Sequence, residues 1–400
     1  MNISGIISEY NPFHMGHKHH IDQTRSMLGD DTGIVCVMSG NFVQRGEPAA
    51  FTKNARAQCA IHGGADLVLE LPIPWALSSA EGFARGAVGV LGATGVVSHL
   101  SFGSESGSVE PLDRAARVLL SPEMDVIIRE LLPQGMSYAA ARQQAAERIA
   151  GEPLPQLRSP NDILGIEYIK ALYEQRLPIK PITVKRVGAG HDQSGGGDLP
   201  SASELRKRLL RGESVIGNMP SESAKVLERE IHQGRGPVMG EALDTAIVSR
   251  LRMLPKDVFE SLPDAGEGLG TRLHRFAATE VTVDAVISAA ATKRYALSRL
   301  RRMLMCAALG IKAGDAEGLP PYIRVLAANS RGCAILKKMG ERASLPIITK
   351  PAEINSLGAE ARACFALERQ ATDLFVLGFS AREERKGDRD FRLSPFILRD

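Results

Sequence analysis

Two histidines separated by a methionine and a glycine, His14 and His17, form the first chemically distinctive pattern of the chain. They follow a short apolar run at residues 3–7 and a Tyr-Asn-Pro turn that ends at Pro12. Gly16 lets a ligand approach the backbone, and the N–H groups that open the next helix can receive an anion. Imidazoles placed there can donate hydrogen bonds to a phosphate whose charge grows in a transition state. The pattern therefore predicts a nucleotide phosphate site in which both histidines are catalytic.

Two other interpretations of these histidines stay open. The pattern is short enough to belong to an ordinary surface turn. With His19 and His20 nearby, it could also bind zinc, although neither a cysteine pair nor an HExxH sequence accompanies it. The position directly after a first apolar strand favours phosphate.

A second candidate phosphate site is the SASELR segment at residues 201–206. Hydroxyls at a helix start bind phosphate oxygens together with backbone N–H groups and the helix dipole, and an arginine one turn later can clamp the same group. Taken alone, the segment is better explained as a capping box, because Ser201 and Glu204 have that spacing. Paired with the histidines, it predicts Ser201, Ser203 and Arg206 as further catalytic phosphate ligands.

Composition limits the class of protein. A chain of 400 residues with 44% hydrophobic and 24% charged residues is typical of a soluble protein of two or three domains. The aromatic content of 5% argues against a single-strand binder that works by base stacking. The five cysteines include no CxxC pair, so we expect free thiols, and no segment resembles a signal peptide or a membrane span. These features predict a cytoplasmic protein.

Apolar runs that alternate with helix-like segments predict an α/β fold with a doubly wound parallel sheet. The predicted strands are residues 3–7, 33–38, 67–71, 100–102 and 179–184. Crossover helices are predicted at residues 18–28 and 52–62. Such a sheet binds ligands at the carboxyl ends of its strands. Polar segments follow several of these predicted ends: 14–17, 39–47, 103–105 and 186–191.

The remaining segments predict a two-part organisation. Residues 109–149 and 163–174 are helix-like and form a helical insertion at about 105–175, and a flexible loop follows at 194–198. Beyond residue 240 the pattern is mainly helical, and the predicted helices are 241–254, 270–278, 283–309 and 359–376. We therefore predict a catalytic domain at residues 1–215 and a mainly helical part at residues 216–400.

Two basic stripes could neutralise nucleic-acid phosphates. One lies on the predicted helix at 283–309, with Tyr295 among its members, and consists of Lys293, Arg294, Arg299, Arg301 and Arg302. The other lies on the predicted helix at 204–211 and consists of Arg206, Lys207, Arg208 and Arg211. A charge run is more often a solvated helix face, so composition alone leaves RNA binding open.

Several ordered segments resemble the tRNA(Met) cytidine acetate ligase family, within the HxGH nucleotidylyltransferase superfamily. The matching segments are GIISEYNPFHMGHKHH, VMSGNFVQRGEPA, ADLVLELP, SFGSE, SPNDILGIEYI and KRVGAGH. Weaker likeness continues in KRYALSRLRRML and YIRVLAAN, so that the resemblance covers nearly the whole chain.

The resemblance implies an enzyme that makes acetyl-adenylate from ATP and acetate and then acetylates N4 of the wobble cytidine of elongator tRNA(Met). It also implies a set of ATP contacts, with Met15 at the variable position of HxGH. These contacts are Ile7, Ser8, Glu9, Tyr10, Asn11, Pro12, Phe13, His14, Met15, Gly16, His17, Lys18, His19, His20, Gly103, Asn161 and Arg186. Mg²⁺ is expected with ATP on general grounds, without a dedicated carboxylate cage.

The residue chemistry agrees with this implication. Acetate is a weak nucleophile, so the enzyme has to stabilise charge on the phosphates, for which the histidines and the 201–206 segment are suited. Acetate itself could be bound by Asn41, Gln44, Arg45 or the backbone. Two alternatives stay open: a nucleotidylyltransferase that moves AMP onto a phosphorylated small molecule, and a non-catalytic ATP-dependent RNA-binding protein.

Overall fold

A computed structural model describes residues 2–186, 200–266, 268–292 and 295–399. The predicted loop at 194–198, most of the 186–191 segment, and Lys293 and Arg294 lie outside these ranges. The strands are β1 (Ile3–Ser8), β2 (Gly33–Ser39), β3 (Leu67–Leu71), β4 (His99–Ser104), β5 (Lys180–Lys185), β6 (Ile323–Ala328), β7 (Ile347–Ile348) and β8 (Phe396–Ile397).

Helices fill most of the space between the strands. In the first half they are α1 (Met15–Leu28), α2 (Lys53–His62), α3 (Ile73–Ala76), α4 (Ala80–Ala93), α5 (Val109–Leu119), α6 (Glu123–Leu131), α7 (Tyr138–Ala150), α8 (Pro160–Glu174) and α9 (Ala202–Leu210). In the second half they are α10 (Ser221–His232), α11 (Asp244–Met253), α12 (Lys256–Glu260), α13 (Leu269–Thr279), α14 (Val283–Ala290), α15 (Leu297–Leu309), α16 (Ser330–Arg342), α17 (Ala359–Phe375) and α18 (Arg389–Arg392).

The described residues form an eight-stranded sheet in the order β5-β4-β1-β2-β3-β6-β7, and β8 pairs with β6. The strands from β5 to β3 are parallel, which confirms the predicted α/β class. β6 was not predicted. It comes from the C-terminal part and pairs antiparallel with β3, where Leu67 lies opposite Ala328. The sheet is therefore mixed, with a parallel majority.

Both faces of the sheet are covered, as the nearly unbroken apolar strands require. Alternate residues of a strand point to opposite faces. Ile7 and Val37 belong to the core that includes α4 and α8, whereas Ile6 and Cys36 belong to the core beneath α1 and α2. This double burial keeps the strands in one register and fixes where their carboxyl ends lie.

Two predicted helices are divided in the structure. Residues 109–149 form α5, α6 and α7, because Pro122 starts a new helix and Gly135, with φ of 83°, ends the turn after α6. Residues 283–309 form α14 and α15, with α14 ending at Ala290. The helices from α11 to α15 share a separate core that also includes Phe42 and Phe375. Among the described helices, none is both long and apolar enough to cross a membrane.

A buried ionic cluster joins the two halves of the chain. The Lys53 Nζ lies 2.6 Å from Glu70 Oε1, 2.9 Å from Asp390 Oδ1 and 3.5 Å from Glu368 Oε2. The Arg324 guanidinium lies 3.0 Å from Glu70 and 3.1 Å from Asp390. All five side chains are at most 5% exposed. The cluster therefore connects α2 and β3 to β6, α17 and α18 in the absence of solvent.

The charges of this cluster balance because one carboxyl group is neutral. Burial and the neighbouring Glu70 carboxylate raise the pKa of Glu368 well above its usual range. Burial alone would also raise the pKa of Asp390, but Arg324 and Lys53 outweigh it and lower that pKa to about 2. Two cations thus face two carboxylates and one carboxylic acid.

Replacing Lys53 with methionine removes one cation and leaves buried carboxylates unpaired. Breaking a buried ion pair typically costs about 3–5 kcal/mol, and we expect a loss of this size in the free energy of unfolding measured by urea denaturation. Lys256→Met is the matched control, because Lys256 forms an exposed pair with Glu260 at 2.9 Å and exposed pairs contribute under about 1 kcal/mol. Equal losses for the two variants would contradict a stabilising role of the cluster.

Candidate active site

The turn that follows β1 carries the histidine pattern and is held from several sides. Tyr10 has φ of 46°, in the left-handed region that non-glycine residues rarely adopt. The Asn11 side chain accepts a hydrogen bond of 2.7 Å from the Ala50 N–H. Tyr10 and Phe13 are buried, with their rings 4.9 Å apart. The backbone therefore enters α1 at one defined angle.

The imidazole rings of His14 and His17 cap the N-terminus of α1. The His14 Nδ1 accepts a hydrogen bond from the Gly16 N–H at 3.0 Å, and the His17 Nδ1 accepts one from the His14 N–H at 3.2 Å. The two rings are stacked, with centroids 3.8 Å apart. Because Nδ1 is an acceptor in both neutral rings, the proton of each ring is on Nε2. Each Nε2–H is thus a donor on the ring edge away from the helix backbone.

Both imidazoles are neutral at pH 7. Burial, followed by the nearby Arg186, lowers the pKa of His14 to about 4. Burial and the neighbouring His14 lower the pKa of His17 well below its usual range. The pair can therefore donate hydrogen bonds to an oxyanion without carrying a buried charge of its own.

His20 serves the packing of α1. Its Nε2 lies 2.9 Å from the Ser101 hydroxyl, which lies 2.7 Å from the Thr24 hydroxyl. The Thr24 hydroxyl donates to the His20 carbonyl at 2.8 Å, so Ser101 donates to Thr24 and His20 donates to Ser101. This ring of hydrogen bonds fixes α1 against β4. Burial lowers the pKa of His20 to about 4.

The other predicted ATP contacts of the 7–20 segment surround this turn. Ile7, Asn11 and Pro12 are buried, and Lys18 pairs with Asp22 at 2.7 Å. The residues of intermediate exposure are Ser8, Glu9, Met15, Gly16, Lys18 and His19.

The helix α9 docks on the same turn. Arg206 donates from Nη1 to the Asn11 carbonyl at 2.9 Å and from Nη2 to the Ser203 hydroxyl at 3.3 Å. Ser201 is the N-cap, whose hydroxyl accepts the Glu204 N–H at 3.2 Å. The structure thus brings Ser203 and Arg206 to the histidine turn. The Ser201 hydroxyl caps α9, which is the alternative to phosphate binding that the sequence left open for this segment.

The ends of β4 and β5 contribute the third group of predicted residues. The Arg186 Nη1 lies 3.4 Å from Asn161 Oδ1, and a Cβ on Gly103 would lie 3.3 Å from the Arg186 side chain. Glu105 accepts hydrogen bonds from the Asn161 amide at 2.6 Å and from the Asp162 N–H at 2.9 Å. Arg186 also lowers the pKa values of His14 and His17. The predicted ATP residues therefore gather at one edge of the sheet.

Sequence reasoning missed Arg56, which holds this edge together. Its guanidinium is fully buried and donates to the backbone carbonyls of Phe51 at 3.0 Å and Ser39 at 3.1 Å, and also to those of Glu9 and Gly40. One side chain thus connects the ends of β1 and β2. The helical pattern of residues 52–62 gave no sign of this role.

The predicted basic stripe on α15 is largely engaged within the protein. Arg301 pairs with Glu47 at 2.7 Å and with Asp284 at 2.6 Å. Arg299 donates to the Asp264 carbonyl at 2.6 Å, and the Arg302 side chain is only 12% exposed. These arginines therefore have partners within the protein, and their contact with RNA phosphates stays a prediction. On α9, Lys207 is exposed, and Arg211, directly after the helix, is exposed but pairs with Glu213 at 2.5 Å.

Metal binding by the histidines finds no support in the geometry. Over the residues that the structure covers, no three or more His, Cys, Asp or Glu side chains are arranged to hold a metal ion. The Nδ1 atoms of His14 and His17 are already used by backbone donors. The arrangement instead offers a row of hydrogen-bond donors for an anion.

The fold and this site define a nucleotidyl transferase of the HIGH class. Residues 1–390 match the sequence model of the HIGH Nucleotidyl Transferase family. The chain is 36% identical to the tRNA(Met) cytidine acetate ligase of Acetivibrio thermocellus, with 100% of both chains covered. It is 38% identical to the ligase of the same name from Thermotoga maritima, with 98% of this chain and 99% of the relative covered. The chain belongs to the tRNA(Met) cytidine acetate ligase family.

Solved structures support the same assignment. The crystal structure of Thermotoga maritima TmcAL bound with alpha-thio ATP matches this fold with a TM-score of 0.92 at 36% identity, covering 100% of both chains. The apo form I of the same protein matches with a TM-score of 0.93.

The histidine geometry makes a testable statement about protonation. Since His14 has a pKa of about 4 and that of His17 is also lowered, we expect neither ring to take up a proton between about pH 8 and pH 5. Nitrogen NMR of the imidazoles should show protonated Nε2 and unprotonated Nδ1 across this range.

The same shifts set the sign of the pH dependence of stability. Below about pH 6.5 the unfolded chain binds protons that the folded rings do not, so the free energy of unfolding falls as the pH drops towards 4. Titration of either ring near pH 6.5 would contradict the buried, hydrogen-bonded arrangement.

Proposed function

We propose that this chain is an ATP-dependent ligase that activates acetate as acetyl-adenylate and then acetylates N4 of the wobble cytidine of elongator tRNA(Met). The observation that carries the proposal is the pair of neutral Nε2–H donors, His14 and His17, in a chain that aligns from end to end with ligases of that name. The ATP analogue in the TmcAL structure supports ATP as the co-substrate.

In the first step an acetate oxygen forms a bond to the α-phosphorus, the bond from that phosphorus to the bridging oxygen breaks, and pyrophosphate leaves. The histidine Nε2–H groups donate to phosphate oxygens as charge develops, which is electrostatic stabilisation in a preorganised site. Ser203 and Arg206 add donors from α9, with Ser201 at the helix start. The remaining ATP contacts in this proposal are residues 7–20, Gly103, Asn161 and Arg186.

Magnesium would accompany ATP through the phosphate oxygens. Glu9 is the carboxylate of the histidine turn, and its Oε1 is already the acceptor of the Gln44 N–H. Within the described ranges, no three or more His, Cys, Asp or Glu side chains are placed to hold a metal ion, and no step of the proposed mechanism depends on one.

In the second step the cytidine amine attacks the acetyl carbonyl, the bond from that carbon to the adenylate oxygen breaks, and AMP leaves. This step depends on placing an unpaired anticodon base at the adenylate and on excluding water.

We propose that residues 1–215, with the insertion at about 105–175, carry the chemistry and that residues 216–400 bind tRNA. The core that α11 to α15 share supports a distinct helical part, which packs on Phe42, Ile73 and Leu77 of the first part. Since tRNA and ATP are both cytoplasmic, we place the activity there.

A single assay separates this function from its alternatives. We expect the purified protein to release pyrophosphate from ATP only when acetate is present, and to form N4-acetylcytidine in elongator tRNA(Met) transcript. Pyrophosphate release that needs a phosphorylated small molecule instead of acetate would favour the simpler nucleotidylyltransferase. Tight ATP and RNA binding without turnover would favour the non-catalytic alternative.

The role assigned to the histidines predicts a loss of the first step. His17→Ala removes an Nε2–H donor, and losing one such donor typically slows turnover by about 10²- to 10³-fold. Acetate-dependent pyrophosphate release should fall by this factor, while tRNA binding persists. His232→Ala, at the exposed end of α10, is the control that should keep full activity. Unchanged activity of His17→Ala would reject the role.

A further inference from the structure

The loop of residues 40–50, which follows β2, borders the histidine turn on the side opposite to the predicted ATP contacts of β4 and β5. In the sheet order, β1 lies between β4 and β2. The Gln44 N–H donates to Glu9 Oε1 at 2.6 Å, and the Ala50 N–H donates to Asn11 Oδ1 at 2.7 Å. The loop is thus fastened to both ends of the Glu9–Asn11 segment. The loop is therefore the border of the histidine turn that the predicted ATP contacts of β4 and β5 leave to a second substrate.

Arg45 is the cation that this loop leaves available. It is exposed, and it forms no hydrogen bond or ion pair with any residue of the described ranges. It lies near enough to Glu9 to act on the pKa of that carboxyl. The neighbouring Arg56 is different, because its guanidinium is used by backbone carbonyls. Arg206 lies on α9, and the proposed function assigns the N–H groups that Asn11 and Ser203 leave free to the phosphates of ATP.

Asn41 cannot be the ligand of a substrate in this arrangement. Its Oδ1 accepts the Lys53 N–H at 2.8 Å, and its Nδ2 donates to the Thr372 hydroxyl at 3.0 Å. That hydroxyl in turn donates to Asp390 Oδ2 at 2.8 Å. All of these side chains are buried. The result is a one-way chain of hydrogen bonds from the loop to α17 and α18.

We infer that the 40–50 loop receives the carboxylate of acetate on Arg45, and that Thr372 is a positioning residue that holds this loop through Asn41. The inference rests on the proposed function and adds to it the site of the small carboxylate. A guanidinium suits a carboxylate because two N–H groups can face its two oxygens. Burial raises the pKa of Glu9, which reduces the repulsion that a second carboxylate would meet there.

The arrangement defines the side from which acetate attacks the α-phosphorus in the first step. Acetate held on the β2 side presents one oxygen to the α-phosphorus of an ATP molecule that lies towards β4 and β5. No proton moves in this step, because the attacking group is already a carboxylate. The loop therefore needs a fixed cation more than it needs a base, and the Thr372 chain keeps the loop fixed.

The first test compares Michaelis constants for the two substrates in acetate-dependent pyrophosphate release. Arg45→Gln removes the charge but keeps a polar side chain, and we expect the KM for acetate to rise roughly tenfold or more. The KM for ATP should change much less. Arg45→Lys should recover part of the loss, since it restores the charge without the paired N–H groups.

The second test concerns Thr372. Thr372→Val keeps the shape and removes the hydroxyl, so the KM for acetate should rise severalfold, and Thr372→Ser should restore it. Thr94→Val is the matched control, because Thr94 is buried and its hydroxyl donates to the Leu91 carbonyl at 2.6 Å. That variant should lose stability without a change in either KM.

The outcomes distinguish this inference from the proposed function. An unchanged KM for acetate in Arg45→Gln, with weaker tRNA binding, would overturn the acetate site and assign Arg45 to the RNA. A Thr372→Val variant that loses only thermal stability, like the control, would overturn the positioning role. If the unmodified protein releases pyrophosphate without acetate, the proposed function fails, and the acetate site fails with it.

Discussion

The buried pairing of Lys53 and Arg324 with Glu70 and Asp390 is the constraint on which the rest of the structure depends. These groups come from segments more than 250 residues apart in the chain, and they exclude water from the junction between the sheet and the C-terminal helices. Unpaired charges at this depth would be far more costly than apolar packing, so these four side chains have to assemble together. Their assembly also sets the position of α2, whose first N–H groups hold the loop after β2.

The geometry of the site depends on how backbone N–H and C=O groups are hydrogen-bonded at the start of α1 and at the ends of the strands. The hydrogen bonds that cap α1 also select the tautomer of His14 and His17, so that the atoms that close the helix also set the Nε2–H donors that the proposed mechanism uses. Arg56 works in a similar way. By satisfying the Ser39 carbonyl at the end of β2 and the Phe51 carbonyl before α2, it places a cation beneath the edge at which we propose that ATP binds. The same side chains that satisfy these backbone groups are thereby held in fixed orientations.

The sequence was sufficient for the parallel strands and for the position of the histidines after β1, because unbroken apolar runs and a turn at a strand end are local signals. It was insufficient for β6, where Arg324 interrupts an apolar run and finds its partners only in distant segments. It was also insufficient for the arginines of α15, since their spacing on a helix does not reveal that Glu47 and Asp264 lie opposite. The role of Thr372 could not be anticipated either, because its hydrogen-bond partners are remote in the chain.

The antiparallel pairing of β6 with β3 has a consequence for biosynthesis. The backbone groups on one side of β3 stay without their strand partner until residues 323–328 leave the ribosome, some 250 residues after β3 itself. An open strand of apolar residues is a template for pairing with other chains. During elongation this edge is therefore open to aggregation, and completion of the sheet has to wait for the C-terminal part of the chain. A truncated chain that ends before β6 would keep that edge open permanently.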